Sequence, residues 1–225
     1  MIRELADQKG VQFNNMIKLI PVTDYFTVNC YFVIDDKTNT GILIDPGAQA
    51  DLILNIISQK NWRIEKILLT HGHFDHTGAV KSIQDKLNIS AYAHQRADDY
   101  LLNPSLNLSR ACVGDRLCVN TKKLNISNIT LENSELYCEV FQTPGHSFDS
   151  VSYYFPKENA IFVGDLFYNH SLGLTHFPGG DFDSLKRSIE DSILTLPEST
   201  MIYSGHSSPI TVGEQAQLLK RDNLI

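Results

Sequence analysis

The feature that most constrains this chain is the segment Thr70–Gly78, which reads THGHFDHTG and directly follows the apolar run Ile67–Leu69. Its metal-capable side chains lie within six positions, and most of them are imidazoles: His71, His73, Asp75 and His76. Imidazole nitrogen and carboxylate oxygen are ligands that suit zinc, iron(II) and manganese(II). Burying so many titratable groups without partners would cost several kcal/mol. The segment therefore predicts a metal site, and a polar loop that happens to be rich in histidine is the alternative.

The composition is that of an ordinary globular protein, and it narrows the classes of partner. Apolar residues make up 42% of the 225 residues and charged residues 20%, which is typical of globular chains. Because the sequence contains no repeat, low-complexity segment or Pro/Gly/Ser-rich linker, we expect a single domain over residues 1–225. A net charge of −7 argues against binding to nucleic acid or an anionic membrane, which needs clustered Lys and Arg.

The absence of a membrane span and of a secretory signal in the sequence favours a cytoplasmic protein. No apolar run approaches the roughly 20 residues that a membrane span needs, and Met1–Asp7 lacks the apolar core of a secretory signal. The cysteines form no CxxC pair, and in a reducing compartment we expect them to be free and largely buried thiols. They are Cys30, Cys112, Cys118 and Cys138.

Hydrophobic periodicity predicts strands interspersed with helices in both halves of the chain. Strands are expected at 16–22, 28–34, 41–45, 64–69, 89–93, 136–142, 150–155, 160–163 and 201–203. Helices are expected at 52–57, 79–87, 95–102, 182–196 and 212–220, whereas 103–134 has no firm period and is predicted to be a loop. This pattern favours an α/β sandwich in which two mixed sheets pack face to face with helices outside.

Three further polar residues follow predicted strands, and a glycine directly precedes each one: His146, Asp165 and His206. A glycine permits a tight turn or a close approach of the backbone, and ligand sites in α/β sheets gather at the C-terminal ends of strands. Each residue alone could equally be a cap or a satisfied polar group. Together with the first four they are enough for two sites of three protein ligands each, with one shared carboxylate. We expect His94, His170 and His176 not to be ligands.

The His71-x-His73-x-Asp75-His76 motif, followed in order by His146, Asp165 and His206, resembles the metallo-β-lactamase superfamily. The resemblance covers nearly the whole chain, from Ile20 to Glu214. Within the superfamily the chain is similar to the short members of the glyoxalase II-like branch. The segments that carry this similarity are Thr143–His146, Gly164–Phe167 and Phe177–Asp181.

The resemblance implies an αββα sandwich with two divalent metal ions at one edge. Zinc is the expected metal, with iron or manganese as alternatives. The first ion would be held by His71, His73 and His146, the second by Asp75, His76 and His206, and Asp165 would bridge them. Asp75 would also orient the nucleophile or accept its proton. Asp45 resembles the residue that orients the metal-binding loop, although it could equally cap the turn before Pro46.

The chain departs from the family pattern at two places. After its glycine the family usually has an arginine and, two positions on, an aspartate, whereas Gly173 is followed by Leu174, Thr175 and His176. Losing both members of an ion pair strands neither charge, but it changes the loop and could alter the preference for metal or substrate. The family also often has glycine at the position of Asp149, so the turn after His146 is expected to differ.

The function implied by the resemblance is hydrolysis of a hydroxyacyl thioester, similar to S-lactoylglutathione, by hydroxide generated between the metals. Thiolate is a good leaving group because thiols have a pKa near 8.5, and a metal can stabilise the oxyanion. The helical region that carries glutathione-binding residues in glyoxalase II enzymes has no counterpart after His206. This weakens the assignment to glutathione thioesters in particular, whereas a small-molecule thioester substrate is still expected, and we place its contacts at Tyr25, Phe26 and residues 100–118.

The alternative from another reaction class is a persulfide dioxygenase, whose family shares these motifs. Such an enzyme binds one iron through two histidines and one aspartate, here His71, His146 and Asp165, and leaves positions for O2. The Phe177–Asp181 segment favours the hydrolase. A β-lactamase is disfavoured because no export signal is present, and a nuclease because no inserted domain or basic RNA-binding surface is visible. A metal-binding protein without catalysis also stays open.

Overall fold

Two six-stranded β-sheets form the body of the computed structural model, in which residues 15–118, 120–124, 128–132 and 134–225 are described. The first sheet contains, in spatial order, β1 (Asn15–Thr23), β2 (Thr27–Asp35), β3 (Thr40–Ile44), β4 (Arg63–Leu68), β5 (Ser90–Ala93) and β6 (Thr121–Lys123). Strands β1 to β3 are antiparallel, and β3 to β6 are parallel. The sheet is therefore mixed, as expected.

The second sheet is also mixed. Its strands are β7 (Asn128–Thr130), β8 (Tyr137–Gln142), β9 (Val151–Phe155), β10 (Ala160–Gly164), β13 (Met201–Ser204) and β14 (Ile210–Thr211). Only the β10–β13 pair is parallel in this sheet, within the described residues. A short hairpin of β11 (Phe167–Tyr168) and β12 (Ser171–Leu172) extends from the end of β10.

The helices lie between or after the strands. They are α1 (Ala50–Lys60), α2 (Phe74–Thr77), α3 (Val80–Leu87), α4 (Asp98–Leu101), α5 (Ser109–Cys112), α6 (Phe182–Ser188) and α7 (Val212–Arg221). A π-helical segment, Ile189–Ile193, continues α6. No helix in the described ranges is long and apolar enough to cross a membrane.

Neighbouring side chains of one strand pack in different hydrophobic cores, and the described residues form three such cores. In β2, Phe32 packs in the core that also contains Ile53 of α1, whereas Val33 packs in a core shared with residues of the second sheet, such as Tyr153. In β10, Phe162 joins that shared core, whereas Ile161 faces α6 and α7 in the third. Because successive side chains of a strand point to opposite faces, both sheets are covered on both sides. The predicted αββα sandwich is confirmed.

The predicted elements match the structure except for short ones. The segment predicted as a loop, 103–134, contains α5, β6 and β7 among its described residues, so that part of the prediction was wrong. β6 and β7 are three-residue edge strands that pair with β5 and β8, and such short strands carry no periodic signal of their own. The helix predicted at 182–196 is α6 followed by the π-helical segment. The prediction for Met1–Asp7 lies outside the described residues.

The cysteines are free thiols, as predicted from their spacing. Cys30, Cys118 and Cys138 are buried, and Cys112 is half-buried. Burial raises the pKa of the Cys118 thiol to about 12, so this group is a neutral part of the core at physiological pH.

Candidate metal centre

The structure brings all seven predicted ligand residues to one edge of the sandwich. His71 and His73 follow the C-terminal end of β4, and Asp75 and His76 lie on α2, the single helical turn after them. The other three follow β8, β10 and β13, the strands of the second sheet that end at this edge: His146, Asp165 and His206. His94, His170 and His176 belong to none of the clusters of potential ligands that the described residues form.

Three imidazoles form the first cluster. His71 Nε2 and His73 Nδ1 lie 3.0 Å apart, and His146 Nε2 lies 2.9 Å from the same His73 nitrogen. All three residues are at most 3% exposed. Three ring nitrogens therefore converge on one point from two separate loops, an arrangement that could hold a single cation.

Asp75, His76 and His206 form the second cluster, and Asp165 reaches both clusters. Asp75 Oδ2 lies 3.4 Å from His206 Nε2 and 3.9 Å from His76 Nε2. Asp165 Oδ1 lies 3.2 Å from His76 Nε2, and Asp165 Oδ2 lies 3.3 Å from His206 Nε2 and 3.6 Å from His146 Nε2. A carboxylate between two sets of imidazoles is the arrangement of a bridging ligand.

Hydrogen bonds on the outer ring nitrogens determine which nitrogen of three histidines faces the centre. Nδ1 of His76 donates to Asp45 Oδ2 across 2.9 Å, Nδ1 of His146 to the Leu174 carbonyl across 2.7 Å, and Nδ1 of His206 to the Thr27 carbonyl across 2.8 Å. In the neutral form of each ring, the proton on Nδ1 leaves Nε2 as the unprotonated atom that can bind a metal.

Asp45 holds the metal-binding loop as the resemblance implies. Its Oδ1 accepts from the Thr70 backbone N–H at 2.8 Å, and its Oδ2 accepts from the Thr70 hydroxyl at 2.6 Å as well as from His76. Thr70 Oγ1 lies 3.1 Å from His71 Nδ1. Asp45 therefore fixes the first residue of the loop and one histidine of each cluster, and it does more than cap the turn before Pro46.

The donor set fits bound cations. Among the described residues, the buried atoms without a hydrogen-bond partner include His76 Nε2 and Asp165 Oδ1, which both face the second cluster. Leaving buried polar atoms unsatisfied costs about 1–3 kcal/mol each, and a shared cation would satisfy both. Five imidazoles and two carboxylates, without a thiolate, suit zinc, iron(II) or manganese(II).

The two clusters differ in their electrostatics. Burial lowers the pKa of His71 and His146, and it lowers the pKa of His73 to about 3. In the second cluster burial also opposes the charged imidazole, but the neighbouring carboxylates outweigh it. They raise the pKa of His76 and bring the pKa of His206 to about 10. In the absence of metal the first cluster is thus neutral, whereas the second holds protons against its carboxylates.

Glycines before the ligands allow the close packing of this edge, as the sequence predicted. Gly164 has a φ of +53°, a left-handed conformation that favours glycine, directly before Asp165. At Gly205 a Cβ atom would overlap Asp165 Oδ1 and lie 2.7 Å from His76 Cε1. A side chain at this position would therefore push into the ligand cluster.

Asp149 is buried, and burial raises the pKa of its carboxyl group to about 7. Its Oδ1 accepts from the Ser147 hydroxyl at 2.7 Å, and its Oδ2 faces Gly72 between His71 and His73. The departure from glycine at this position thus places a titratable group against the backbone of the metal-binding loop.

Two supporting features were not found by sequence reasoning. The carbonyls of Thr27 and Leu174 orient His206 and His146, but a backbone carbonyl carries no residue-specific signal. Tyr100 lies in the segment proposed for substrate contacts, yet it is fully buried, packs 5.5 Å from the His73 ring and donates to the Pro178 carbonyl at 2.9 Å. Its position makes it a support for His73, so its assignment to substrate contact was wrong.

The family comparison identifies one superfamily. A sequence model described as the metallo-beta-lactamase superfamily matches residues 23–206. A probable metallo-hydrolase of Bacillus subtilis (strain 168), YqgX, is 37% identical over 186 residues, which cover 79% of this chain and 84% of the relative. The hydroxyacylglutathione hydrolase GloC of Haemophilus influenzae is 29% identical over 209 residues, which cover 92% of this chain and 96% of the relative.

Solved structures agree with the family comparison. The crystal structure of the B3 metallo-beta-lactamase BLEG-1 is 35% identical with a TM-score of 0.83, and the match covers 90% of this chain and 97% of that one. A di-iron-bound structure of the protein TTHA1623 is 28% identical with a TM-score of 0.77, and the match covers 89% and 97%. Both likenesses extend over nearly the whole of each chain.

Proposed function

Because the chain belongs to the metallo-β-lactamase superfamily, we propose that it is a two-metal hydrolase that cleaves a hydroxyacyl thioester. The observation that carries this proposal is the presence of two ligand clusters that share the carboxylate of Asp165. The similarity to a hydroxyacylglutathione hydrolase over 92% of the chain supports the thioester class. We also propose that residues 1–225 act as one domain on a small molecule.

We assign His71, His73 and His146 to the first metal and Asp75, His76 and His206 to the second, with Asp165 between them. Zinc is our first choice, because the imidazole nitrogen of histidine and the carboxylate oxygen of aspartate are among its usual ligands. Iron and manganese accept the same donors, and the similar protein TTHA1623 has been solved with two irons.

When bound, the two cations lower the pKa of a water molecule to about 7 and stabilise negative charge at the substrate carbonyl. The chain's own contribution begins with Asp75, whose carboxylate lies 3.4 Å from His206 Nε2. Burial opposes its ionisation, but His76 and His206 outweigh burial and lower its pKa. Asp75 is therefore ionised at neutral pH and can accept a hydrogen bond from the attacking water, which orients the nucleophile.

The thioester is chemically suited to such a site. Water adds to the acyl carbon, the C–S bond breaks, and the products are a carboxylate and a thiol. A thiol has a pKa near 8.5 and leaves as thiolate without a strong general acid. An amide nitrogen needs a proton before it leaves, so amide substrates place a demand on the site that thioesters do not.

β-Lactam hydrolysis is the second candidate, because the 35% identical BLEG-1 structure is described as a B3 metallo-beta-lactamase.

The persulfide dioxygenase needs only one iron, held by His71, His146 and Asp165. The second cluster of Asp75, His76 and His206 has no part in that assignment, so the number of bound metals separates the two reactions.

Metal analysis of the purified chain, paired with a substrate panel, tests the proposal. We expect two metals per chain and metal-dependent hydrolysis of a lactoyl thioester that exceeds hydrolysis of a cephalosporin. His206→Ala should lower the metal content towards one and reduce turnover strongly. One iron per chain, O2 uptake with a persulfide substrate and full activity of His206→Ala would instead identify the dioxygenase. Two bound metals without any thioester turnover would overturn the thioesterase assignment.

A further inference from the structure

Large apolar side chains are exposed around the metal edge of the sandwich. Tyr25 is 58% exposed, Phe26 45%, Tyr168 42% and Leu174 40%, and Phe177 is half-buried beside them. We call these five residues the apolar rim. Exposed apolar side chains that gather at one place on a globular protein mark a ligand or partner site, whereas single ones need no explanation.

The aromatic residues of the rim lie close to the ligand clusters or to a residue beside them in the chain. The Phe26 ring lies 6.1 Å from the ring of Phe74, which sits between His73 and Asp75 in the chain, and the Tyr168 ring lies 6.0 Å from that of His206. Tyr168 thus lies beside the second cluster, and Phe26 lies beside the helical turn that carries Asp75 and His76.

The first cluster is bordered in the same way by the loop that follows β12. The Phe177 ring lies 6.0 Å from His73 and 5.9 Å from His146, and the Leu174 carbonyl accepts the hydrogen bond from His146. A substrate whose carbonyl lies between the two clusters would therefore meet apolar surface on both sides of the centre.

The rim offers little to a charged substrate. Residues 166–180, which contain three of its members, include no Asp, Glu, Lys or Arg, although such residues make up 20% of the chain. The other two members of the rim are Tyr25 and Phe26. Asp24 precedes them in the chain, and its carboxylate is paired with the Arg116 guanidinium. An anionic group placed against the five rim side chains, all of them uncharged, would lose water without gaining an opposite charge from them, which is unfavourable.

We propose that the apolar rim binds an uncharged, apolar part of the thioester substrate and so selects such thioesters over those of glutathione. This inference rests on the proposed thioesterase function and names the class of substrate. Glutathione carries carboxylates and an ammonium group, for which none of the five rim side chains provides a complementary charge. An apolar acyl or thiol portion would instead cover rim side chains that are now exposed, and this burial favours binding.

The experiment compares thioesters of one uncharged thiol, N-acetylcysteamine, with acetyl, butanoyl and hexanoyl groups, together with lactoyl esters of N-acetylcysteamine and of glutathione. Burying a methylene completely is worth roughly a fourfold change in binding, so a half-exposed rim should give about twofold per methylene. We expect kcat/KM of the metal-loaded protein to rise about 16-fold from acetyl to hexanoyl, which differ by four methylenes. The lactoyl N-acetylcysteamine ester should exceed the glutathione ester.

Leu174→Ala and Leu52→Ala form a matched pair, because both leucines are 40% exposed and Leu52 lies on α1, away from the metal edge. Leu174→Ala should lower the ratio of kcat/KM for hexanoyl over acetyl about threefold, and Phe26→Ala should act in the same direction. Leu52→Ala should leave the ratio unchanged. A ratio that does not rise with chain length, or a clear preference for the glutathione ester, would overturn the proposal.

Binding of the product acids separates this proposal from the thioesterase function. If no thioester is hydrolysed, the proposed function fails, and calorimetry of hexanoate and acetate binding to the metal-loaded chain then tests the rim by itself. Tighter binding of hexanoate, reduced in Leu174→Ala and not in Leu52→Ala, would uphold the apolar site. Equal binding of the two acids would sink it.

Discussion

Nδ1 of His76 donates a hydrogen bond across 2.9 Å to Oδ2 of Asp45, and both side chains are buried. The same carboxylate accepts the backbone N–H and the hydroxyl of Thr70. Asp45 thus fixes the tautomer of His76 in the second cluster. It also holds Thr70, which begins the segment that supplies His71 and His73 to the first cluster. Support of this kind raises metal affinity because the ligands need not be ordered when the metal binds.

Asp45→Asn should therefore weaken metal binding. The amide oxygen can replace only one of the two carboxylate oxygens, and the NH2 group in the other position cannot accept, so at least one of the three hydrogen bonds from Thr70 and His76 is lost. We expect about a 10- to 100-fold loss in metal affinity or kcat/KM, measured by competition with a chelator and by thioester hydrolysis. Asp35→Asn is the control, since Asp35 is also a buried carboxylate but accepts from Ser134 and Lys37. Wild-type metal affinity in Asp45→Asn would contradict the supporting role.

Metal loading should depend on pH differently in the two clusters. At pH 7–8 the first cluster is neutral because its histidine pKa values are lowered, so a metal binds there without displacing protons. The pKa of His206 is raised to about 10 and that of His76 is also raised, so these rings are protonated until the pH exceeds their pKa values. A metal that enters the second cluster must displace these protons, and its apparent affinity should rise with pH.

Calorimetry in buffers with different ionisation enthalpies measures this release of protons. We expect the first equivalent of metal to release almost none and the second to release one or two, with about a tenfold gain in affinity per pH unit for each proton. His206→Ala should weaken the second step, and the binding that remains at higher metal concentration should release one proton fewer. Equal pH dependence of both steps would show that the clusters are not electrostatically distinct.

Gly205→Ala tests the close approach of the backbone to Asp165, the carboxylate that we propose lies between the two metals. The added methyl group would overlap Asp165 Oδ1 and crowd His76, so we expect metal content to fall and stability to drop by about 1–3 kcal/mol. Gly213→Ala, on α7, meets only the Glu198 residue at 3.1 Å and should leave metal content unchanged. Elemental analysis and urea unfolding measure both effects. Full metal content in Gly205→Ala would mean that the ligands can shift without loss.

The candidate site could be predicted because its chemistry lies in side chains with local signals. His146, Asp165 and His206 each follow a glycine at the end of a strand, and parallel neighbours such as β10 and β13 end at the same edge. The carbonyls that orient two of the histidines could not be predicted, since any residue supplies a carbonyl. Tyr100 also could not be placed, because its burial depends on Phe148, which packs 4.6 Å away from a distant part of the chain.

The fold was predictable where an element buries a periodic face. Leu185, Ile189 and Ile193 all pack in the third core, and their steps of four residues are compatible with an α-helix or with the π-helical segment that the structure contains. Strands β6 and β7 pair with the edges of β5 and β8. Their stability comes from this pairing with distant residues, and a three-residue sequence gives no signal of it. Short elements were therefore missed, although the layers were not.

Asp149→Asn should change how stability depends on pH. Burial raises the pKa of Asp149 from 3.8 to about 7, so between these values the folded chain holds a proton that the unfolded chain has released. The favourable contribution of this proton is fully present below the unfolded pKa and is lost as pH rises through the folded one. The asparagine variant lacks this loss, so its free energy of unfolding relative to wild type should increase from pH 4 to pH 7 and then level off.

The size of this difference is at most about 4 kcal/mol, from three pH units at about 1.4 kcal/mol each. Urea unfolding of the metal-free protein at several pH values measures it, because bound cations would stabilise the carboxylate and reduce the effect. Asp35→Asn is the control of opposite sign. Burial opposes ionisation of Asp35, but its hydrogen bonds outweigh burial and lower its pKa, so its contribution is lost only as pH falls towards that lowered value. The difference in the free energy of unfolding between Asp35→Asn and wild type should thus be constant above pH 5. If the difference for Asp149→Asn were constant as well, Asp149 would be ionised in the folded protein.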